Sequence, residues 1–458
     1  MDPRTRKLLE APIGATLLLM ALPNVVVMVM QSAIGLIETY FVAKLGIDAL
    51  AGMALVFPVL MLFVMISAGA MGGGILSSIA RALGRGDRDG ANHLVWHAVA
   101  IALACGALTS AVVLLGGPRL YALMGGRAGS LAAAVTYSNL VFAGALPLWL
   151  FNSLAAVIRG TGNMIFPALV VALGAVLLIP LSPALIFGFG PFPQLGIVGG
   201  AAAVVTYYVI GSAVFAVYIW SGRGVLKPSL RPPRLSWPPL YEILRVGTVS
   251  SLVSISTNVS IAVATGLTGL VSPSAVAGYG TGARLEYLLV PLVFGLGAPL
   301  AAMVGSSIGA GHRERALRAA WTGAAIAGGL TELIGLAAAL FPHAWLGLFG
   351  SDPTMLAVGT QYLRTVGPFY GFFGFGLALY FASQGAGRLG WPALSALLRV
   401  TIAAGGGWLA VHLGGGLGAL FLVVALSLVS FGGVNAGAIA GGAWFGKKLS
   451  ARVGVQPV

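Results

Sequence analysis

Charge is scarce in this sequence. Only 8 % of its 458 residues are Asp, Glu, Lys or Arg, and only 11 of those are acidic, against about 25 % charged residues in ordinary soluble domains. With 58 % hydrophobic residues, the chain cannot clothe a water-facing surface, which excludes a soluble globular protein. Cysteine is nearly absent. The lone Cys105 excludes an intrachain disulfide or a cysteine-based metal cluster and reads as a small core residue. Alternating ten-residue patterns of barrel strands are missing too, so the spanning elements must be helices that satisfy their own backbone. Nothing in the pattern marks a membrane-embedded enzyme: there is no intramembrane histidine, no paired carboxylates and no Ser-His arrangement.

What is present is a series of apolar runs, each near or above the roughly 20 residues needed to cross about 30 Å of hydrocarbon. Twelve lie near residues 13–43, 49–80, 93–117, 131–157, 164–190, 195–220, 243–271, 275–310, 316–342, 355–385, 390–412 and 414–443. The expected fold is an all-α integral membrane protein of twelve transmembrane helices. The opening "MDPRTRK" and the run behind it resemble a signal peptide superficially, but the run is too long and has no small-residue cleavage site. It reads as the first membrane helix.

The formal net charge of +14 raises nucleic acid as a partner, and its distribution argues against that. Placing the N-terminus in the cytoplasm puts most of the basic residues, among them Arg4, Lys7, Arg85, Arg88, Arg231 and Lys447, in inner loops. Only Lys44, Arg119 and Arg127 fall outside. This obeys the positive-inside rule, so both termini are expected in the cytoplasm and the lipid bilayer is the expected partner.

Residues 221–240, "SGRGVLKPSLRPPRLSWPPL", carry five prolines and four basic residues. They form the one clear linker, dividing the chain into an N-lobe (1–220, helices 1 to 6) and a C-lobe (241–458, helices 7 to 12 with a cytoplasmic tail). The halves repeat. Ser77 and Ser78 answer Ser306 and Ser307 at an offset of 229, Pro167 answers Pro392 at 225, and Pro118 answers Pro342 at 224. With an even number of spans in each half, this is a parallel repeat, an arrangement found in secondary transporters, where a solute path lies between halves.

A polar seam recurs in both halves. Asn24, Gln31 and Glu38 are spaced by seven on the first helix, which stacks them on one face; Ser251, Asn258 and Thr265 repeat the spacing on the seventh, at an offset of 227. The acid does not recur. Asn24, Gln31, Asn258 and their neighbours either line a cavity or hold helices together by hydrogen bonds worth about 0.6 kcal/mol. Glu38 is the sharper candidate, because an acid at mid-membrane costs roughly 2.5–3.5 kcal/mol on insertion scales. At about 1.5 Å per residue from residue 12 it lies some 39 Å along the helix, in the outer part unless Pro23 bends the path. The alternative for Glu38 is an interfacial carboxylate reaching toward water.

Other polar residues admit two readings. Arg284, Glu286 and Arg399 are candidates either for structural pairing or for contact with a solute, since an intramembrane arginine needs a carboxylate, carbonyls or water. Glu332 is the remaining mid-span acid. Tyr370, Phe373 and Tyr380 gather near one face, where a flat cationic or amphipathic solute could stack. His93 and His97 in "HLVWH" have the i, i+4 spacing of two zinc ligands but lack the acid and the third ligand such a motif needs. No metal and no cofactor is expected beyond a coupling ion. The glycine-rich "GTGARL" and "MGGGILSS" fit close helix packing better than phosphate binding.

Against this background the chain resembles the multidrug and toxic compound extrusion (MATE) transporters. "GLIETYFVAKLGIDALAGMAL" looks like the family's first-helix signature, Gly-x-x-Asp-Thr-x-x-x-x-x-Leu-Gly. "AAMVGSSIGAGHRERALRAA", "ARLEY" and "SQGAGRLGWPALSALLR" resemble stretches of its eighth, tenth and eleventh helices. The resemblance implies a V-shaped twelve-helix antiporter in a bacterial or archaeal plasma membrane. It would export organic, often cationic, compounds by alternating access in exchange for H+ or Na+, as a monomer. Glu38 then occupies the place of the family's functional N-lobe Asp; Arg284, Tyr370 and Tyr380 stay candidates, from the residues alone, for lining the solute path. Two departures stand out. Where many prokaryotic members carry Asn-x-x-x-Asp-Pro on the fifth helix, this chain has Leu178 and Ser182, and the acids that some sodium-coupled members carry on helices seven and ten are missing. A lipid-linked precursor or metabolite flippase of a related six-plus-six fold is the alternative.

Overall fold

The computed structural model describes residues 2–271 and 275–445, the side chains of residues 29, 31–37 and 287 apart. It is nearly all helical. A short helix α1 (Pro3–Glu10) precedes α2 (Ile13–Ala43), α3 (Ile47–Gly84), α4 (Arg88–Leu123), α5 (Ala128–Ala143), α6 (Ala145–Gly160), α7 (Ile165–Phe187), α8 (Ile197–Trp220), α9 (Trp237–Val271), α10 (Ala275–Gly309), α11 (Arg313–Leu340), a five-residue α12 (Pro342–Leu346), α13 (Pro353–Ala386), α14 (Gly390–His412) and α15 (Gly416–Ala440). Among the described residues ten helices are long and apolar enough to cross a membrane, or eleven when α5 and α6 count as one bent span. The 31-residue α2 lies on the first expected run.

The fourth expected span, 131–157, is not one straight helix. Gly144 separates α5 from α6, whose axes differ by 50°. At the break Gly144 leaves the helical conformation (φ −83°, ψ 16°), and its bare Cα lets Val205 of α8 pack where a side chain would not fit. The repeat carries a matching break, because α13 passes through a 3-10 turn at Gly367–Phe369 built on Pro368, whose ring cannot donate to the helix ladder. The helices restart at Ala145 and at Tyr370, 225 residues apart, the offset of the Pro167–Pro392 pair. Left-handed glycines repeat likewise, Gly86 (φ 78°) with Gly311 (φ 78°) and Gly188 (φ 77°) with Gly414 (φ 74°). Each closes a helix or turn where a Cβ would be strained.

Two further irregularities are unmatched between the halves. A π-helical stretch interrupts α3 at Met65–Met71, and another interrupts α14 at Ile402–Gly406.

The chain forms two compact units, one of Met1–Leu8 and Leu22–Gly247, the other of Leu9–Ala21 and Thr248–Val458. The Pro-rich stretch after α8 is held inside the first unit by specific hydrogen bonds. Asn92 Oδ1 accepts from the Lys227 N–H at 2.9 Å, the Trp96 indole donates to the Ser229 carbonyl at 2.9 Å, and the Ser236 N–H donates to His97 Nε2 at 3.1 Å. Arg81 at the end of α3 donates to Glu242 at the start of α9 (2.8 Å) and to Ser78 (3.1 Å).

Candidate functional site

Glu38 sits near the C-terminal end of α2 and is half-buried. Its carboxylate is bounded by α5, α7 and α8. The Tyr137 hydroxyl of α5 donates to Glu38 Oε1 at 3.5 Å, at the long limit of a hydrogen bond. Gly200 faces the same spot: a methyl group there would lie 3.7 Å from Glu38 Oε1, 3.6 Å from Ile186 Cδ1 and 3.8 Å from the Tyr137 ring. The neighbouring Gly199 has a different task, since its bare Cα packs on the Leu185–Ile186 backbone of α7 and brings α7 and α8 close enough to wall the site.

Ser182, which the family pattern fills with Asp, is buried, and its hydroxyl has no hydrogen-bond partner among the described residues. It lies one helical turn before Ile186, hence on the same face of α7. Leu178, a further turn back, is buried as well. Neither supplies a charge, and Glu38 is the one acidic residue in the sequence of α2, α5, α7 and α8.

The other membrane acids differ in kind. Glu286 of α10 is ion-paired with Arg399 of α14 at 2.6 Å, both side chains 3 % exposed. Glu332 of α11 accepts from the Gly371 N–H at 2.7 Å. That N–H lies in the first turn after the 3-10 break in α13, where it has no helical partner, so Glu332 caps a restarted helix. Among the described residues Glu38 has neither a backbone donor nor a cation within ion-pair distance.

The remaining expected site residues are scattered. Asn24 is buried. The side chain of Gln31 lies outside the described residues. On α9, Asn258 donates to the Ser254 carbonyl at 3.0 Å and Thr265 to the Ile261 carbonyl at 2.8 Å, back-bonds within their own helix. Arg284 is exposed, with its guanidinium 5.3 Å from the centre of the Phe349 ring. Tyr370, Phe373 and Tyr380 are all buried inside the second unit. Tyr370 meets the Tyr362 hydroxyl at 3.4 Å, and Tyr380 accepts from Gln384 at 3.3 Å. His97 Nδ1 lies 2.8 Å from the His93 carbonyl while its Nε2 accepts from Ser236, so this pair fastens the linker. Tyr137, which donates to Glu38, and Gly200, which faces the same carboxylate oxygen, escaped the sequence reading, because no local pattern marks a partner about 100 or more residues away.

Comparison with known proteins places the arrangement. A family model described as MatE matches residues 23–184 and 250–409, one stretch in each half of the repeat. The FAD transporter of Shewanella oneidensis is 29 % identical over 379 residues, covering 82 % of each chain. A probable multidrug resistance protein NorM of Thermotoga maritima is 26 % identical over 384 residues, covering 83 % of this chain and 82 % of its own. Among solved structures, a MATE crystal structure in the bent conformation superposes with a TM-score of 0.89 at 24 % identity, covering 98 % of this chain and 100 % of that one. A Pyrococcus furiosus transporter described as having a binding pocket of reverse polarity superposes with a TM-score of 0.87 at 23 % identity, covering 97 % and 99 %. With both repeats matched by one family model and the two-unit helical fold shared with its solved members, this chain belongs to the MATE family of membrane transporters, which are not enzymes.

Proposed function

We propose that this transporter exports organic, cationic or amphipathic compounds across the plasma membrane by alternating access in exchange for protons, with Glu38 as the coupling acid and both termini in the cytoplasm. The observation that carries this reading is the contrast among the membrane acids. Glu286 is neutralised by Arg399 and Glu332 is held by a backbone N–H, whereas Glu38 meets one weakly placed hydroxyl. A carboxylate kept in an apolar setting without a cation costs least when it takes a proton, and a proton needs only one oxygen. Sodium needs several oxygen ligands, and the fifth helix here offers Leu178 and Ser182 rather than amide and carboxylate. The multidrug resistance names of several relatives support the substrate class.

A second reading has its own support. The relative from Shewanella oneidensis is named for FAD, so export of an anionic metabolite is the competing substrate class on the same fold. The deciding experiment is efflux of a fluorescent organic cation from cells stripped of their own pumps, with wild type and Glu38→Gln compared in the presence and absence of a protonophore. Loss of efflux in both perturbations supports the first reading. Absence of efflux from wild type itself would shift the assignment to a metabolite or lipid-linked substrate.

A further inference from the structure

The second unit contains an ionisable element that the Glu38 reading leaves unused. Arg399 and Glu286 form a closed pair at 2.6 Å through Nη2 and Oε1. The guanidinium also lies over the rings of Phe373 (5.0 Å) and Phe431 (5.7 Å), so its faces are screened by π-systems and its hydrogen-bonding edges remain. Two of those edges are unfilled: the Nε and Nη1 donors are buried and have no hydrogen-bond partner among the described residues. A buried charged donor left unbonded is costly, more so than a neutral one. Buried polar groups ordinarily bond to protein or to ordered water, and no protein group among the described residues meets these two nitrogens.

The backbone around the pair is irregular as well. Arg399 lies one turn before the π-helical stretch Ile402–Gly406 of α14, and Phe373 and Tyr370 follow the 3-10 break Gly367–Phe369 of α13. Pi-bulges occur preferentially at functional sites, and transporters place ligand groups at interrupted helices. Nor is the pair a by-product of the repeat. The position 225 residues before Arg399 is Gly174, packed against the Tyr207 ring, so the charge was introduced in one half only.

We propose that Arg399 is the docking point for a carboxylate group of a ligand entering the second unit, and that Glu286 is its internal stand-in, holding the guanidinium until an external carboxylate replaces or joins it. Glu286 shows which chemistry the slot accepts: it meets Nη2 through a single oxygen, whereas an incoming carboxylate could take a paired edge, Nη2 with Nε or Nη2 with Nη1, whose N–H groups Glu286 leaves unbonded. The planar guanidinium suits a carboxylate better than an ammonium does.

The test uses the purified full-length protein and formate as probe, exchanged for chloride at constant ionic strength and pH, with the thermal unfolding midpoint as readout. Wild type is expected to gain stability saturably with formate and not with formamide, its neutral isostere. Glu286→Gln, which vacates the slot while keeping its shape, is expected to saturate at a formate concentration at least tenfold lower. Arg399→Lys is expected to lose the response. Equal response of wild type to formate and chloride, or an unaltered half-saturation in Glu286→Gln, would overturn the proposal. If Glu286→Gln does not fold, the wild-type comparison of formate with formamide decides alone. Glu38→Gln is expected to respond to formate as wild type does, so failure here and failure of the proton-coupling reading are separable.

Discussion

The Tyr137 hydroxyl stands 3.5 Å from Glu38 Oε1, contributed by a helix 99 residues away in sequence, and the bare Cα of Gly200 faces the same oxygen from a third helix. This relationship defines the local space available to the acid. An alanine at position 200 meets only ordinary van der Waals contacts at 3.6 to 3.8 Å, so Gly200→Ala should fold with unchanged or slightly raised thermal stability while slowing efflux severalfold through crowding of Glu38. Gly199→Ala should do the reverse. Its new methyl meets the Leu185–Ile186 backbone, which cannot step aside as a side-chain tip does, and overpacking of this kind costs about 1–3 kcal/mol. Thermal unfolding and efflux measured on both variants check the pair; equal behaviour would contradict the geometry.

Glu332 should prove a capping residue. Glu332→Ala removes the acceptor for the Gly371 N–H and is expected to cost about 0.5–2 kcal/mol, the range of a lost N-cap. Glu332→Gln retains a side-chain oxygen and should cost less. Neither should abolish the protonophore-sensitive part of efflux. A Glu332→Gln protein that is stable yet uncoupled would assign this acid a role in transport.

The Glu286–Arg399 pair makes an asymmetric prediction about stability. Removing one partner of a buried ion pair strands the other and costs about 3–5 kcal/mol, whereas replacing both with apolar residues of similar volume is often neutral or better. Glu286→Leu and Arg399→Met should therefore each destabilise more than the double substitution does. Additive losses in a double-mutant cycle read by thermal unfolding would show that the two side chains do not act as a pair.

The linker is expected to be held down rather than loose. His97→Phe removes the acceptor of the Ser236 N–H and should speed trypsin cleavage after the exposed Arg234, detected by the appearance of two half-length fragments. An unchanged cleavage rate would mean that the Asn92 and Trp96 bonds hold the strap without it.

How much of this was legible in the sequence depends on the range of the interaction. The long helices followed from apolar runs of membrane length, and the repeat from matched Ser and Pro positions, because both signals are local or periodic. Glu38 stood out because acids are rare here and because the seven-residue spacing from Asn24 puts it on a polar face. Its neighbours did not stand out, since Tyr137 and Gly200 belong to apolar stretches with nothing to distinguish them. The break at Gly144 was hidden by continuous hydrophobicity, and the close packing of Val205 on that glycine is a tertiary feature. Arg399 was recognisable as needing a partner, but Glu286, 113 residues away, could be singled out only by the fold. His93 and His97 show the opposite hazard: a spacing that suits a metal is used here to anchor a linker.

The central claim is that Glu38 carries the coupled proton, and substrate-driven proton movement in proteoliposomes tests it most directly. Wild type and Glu38→Gln would be reconstituted with a pH-sensitive dye in the lumen, and a fluorescent organic cation added outside at zero membrane potential. The account predicts a lumenal pH change that follows substrate entry in wild type and is absent in Glu38→Gln at equal protein incorporation. A pH change of equal size in Glu38→Gln would contradict it.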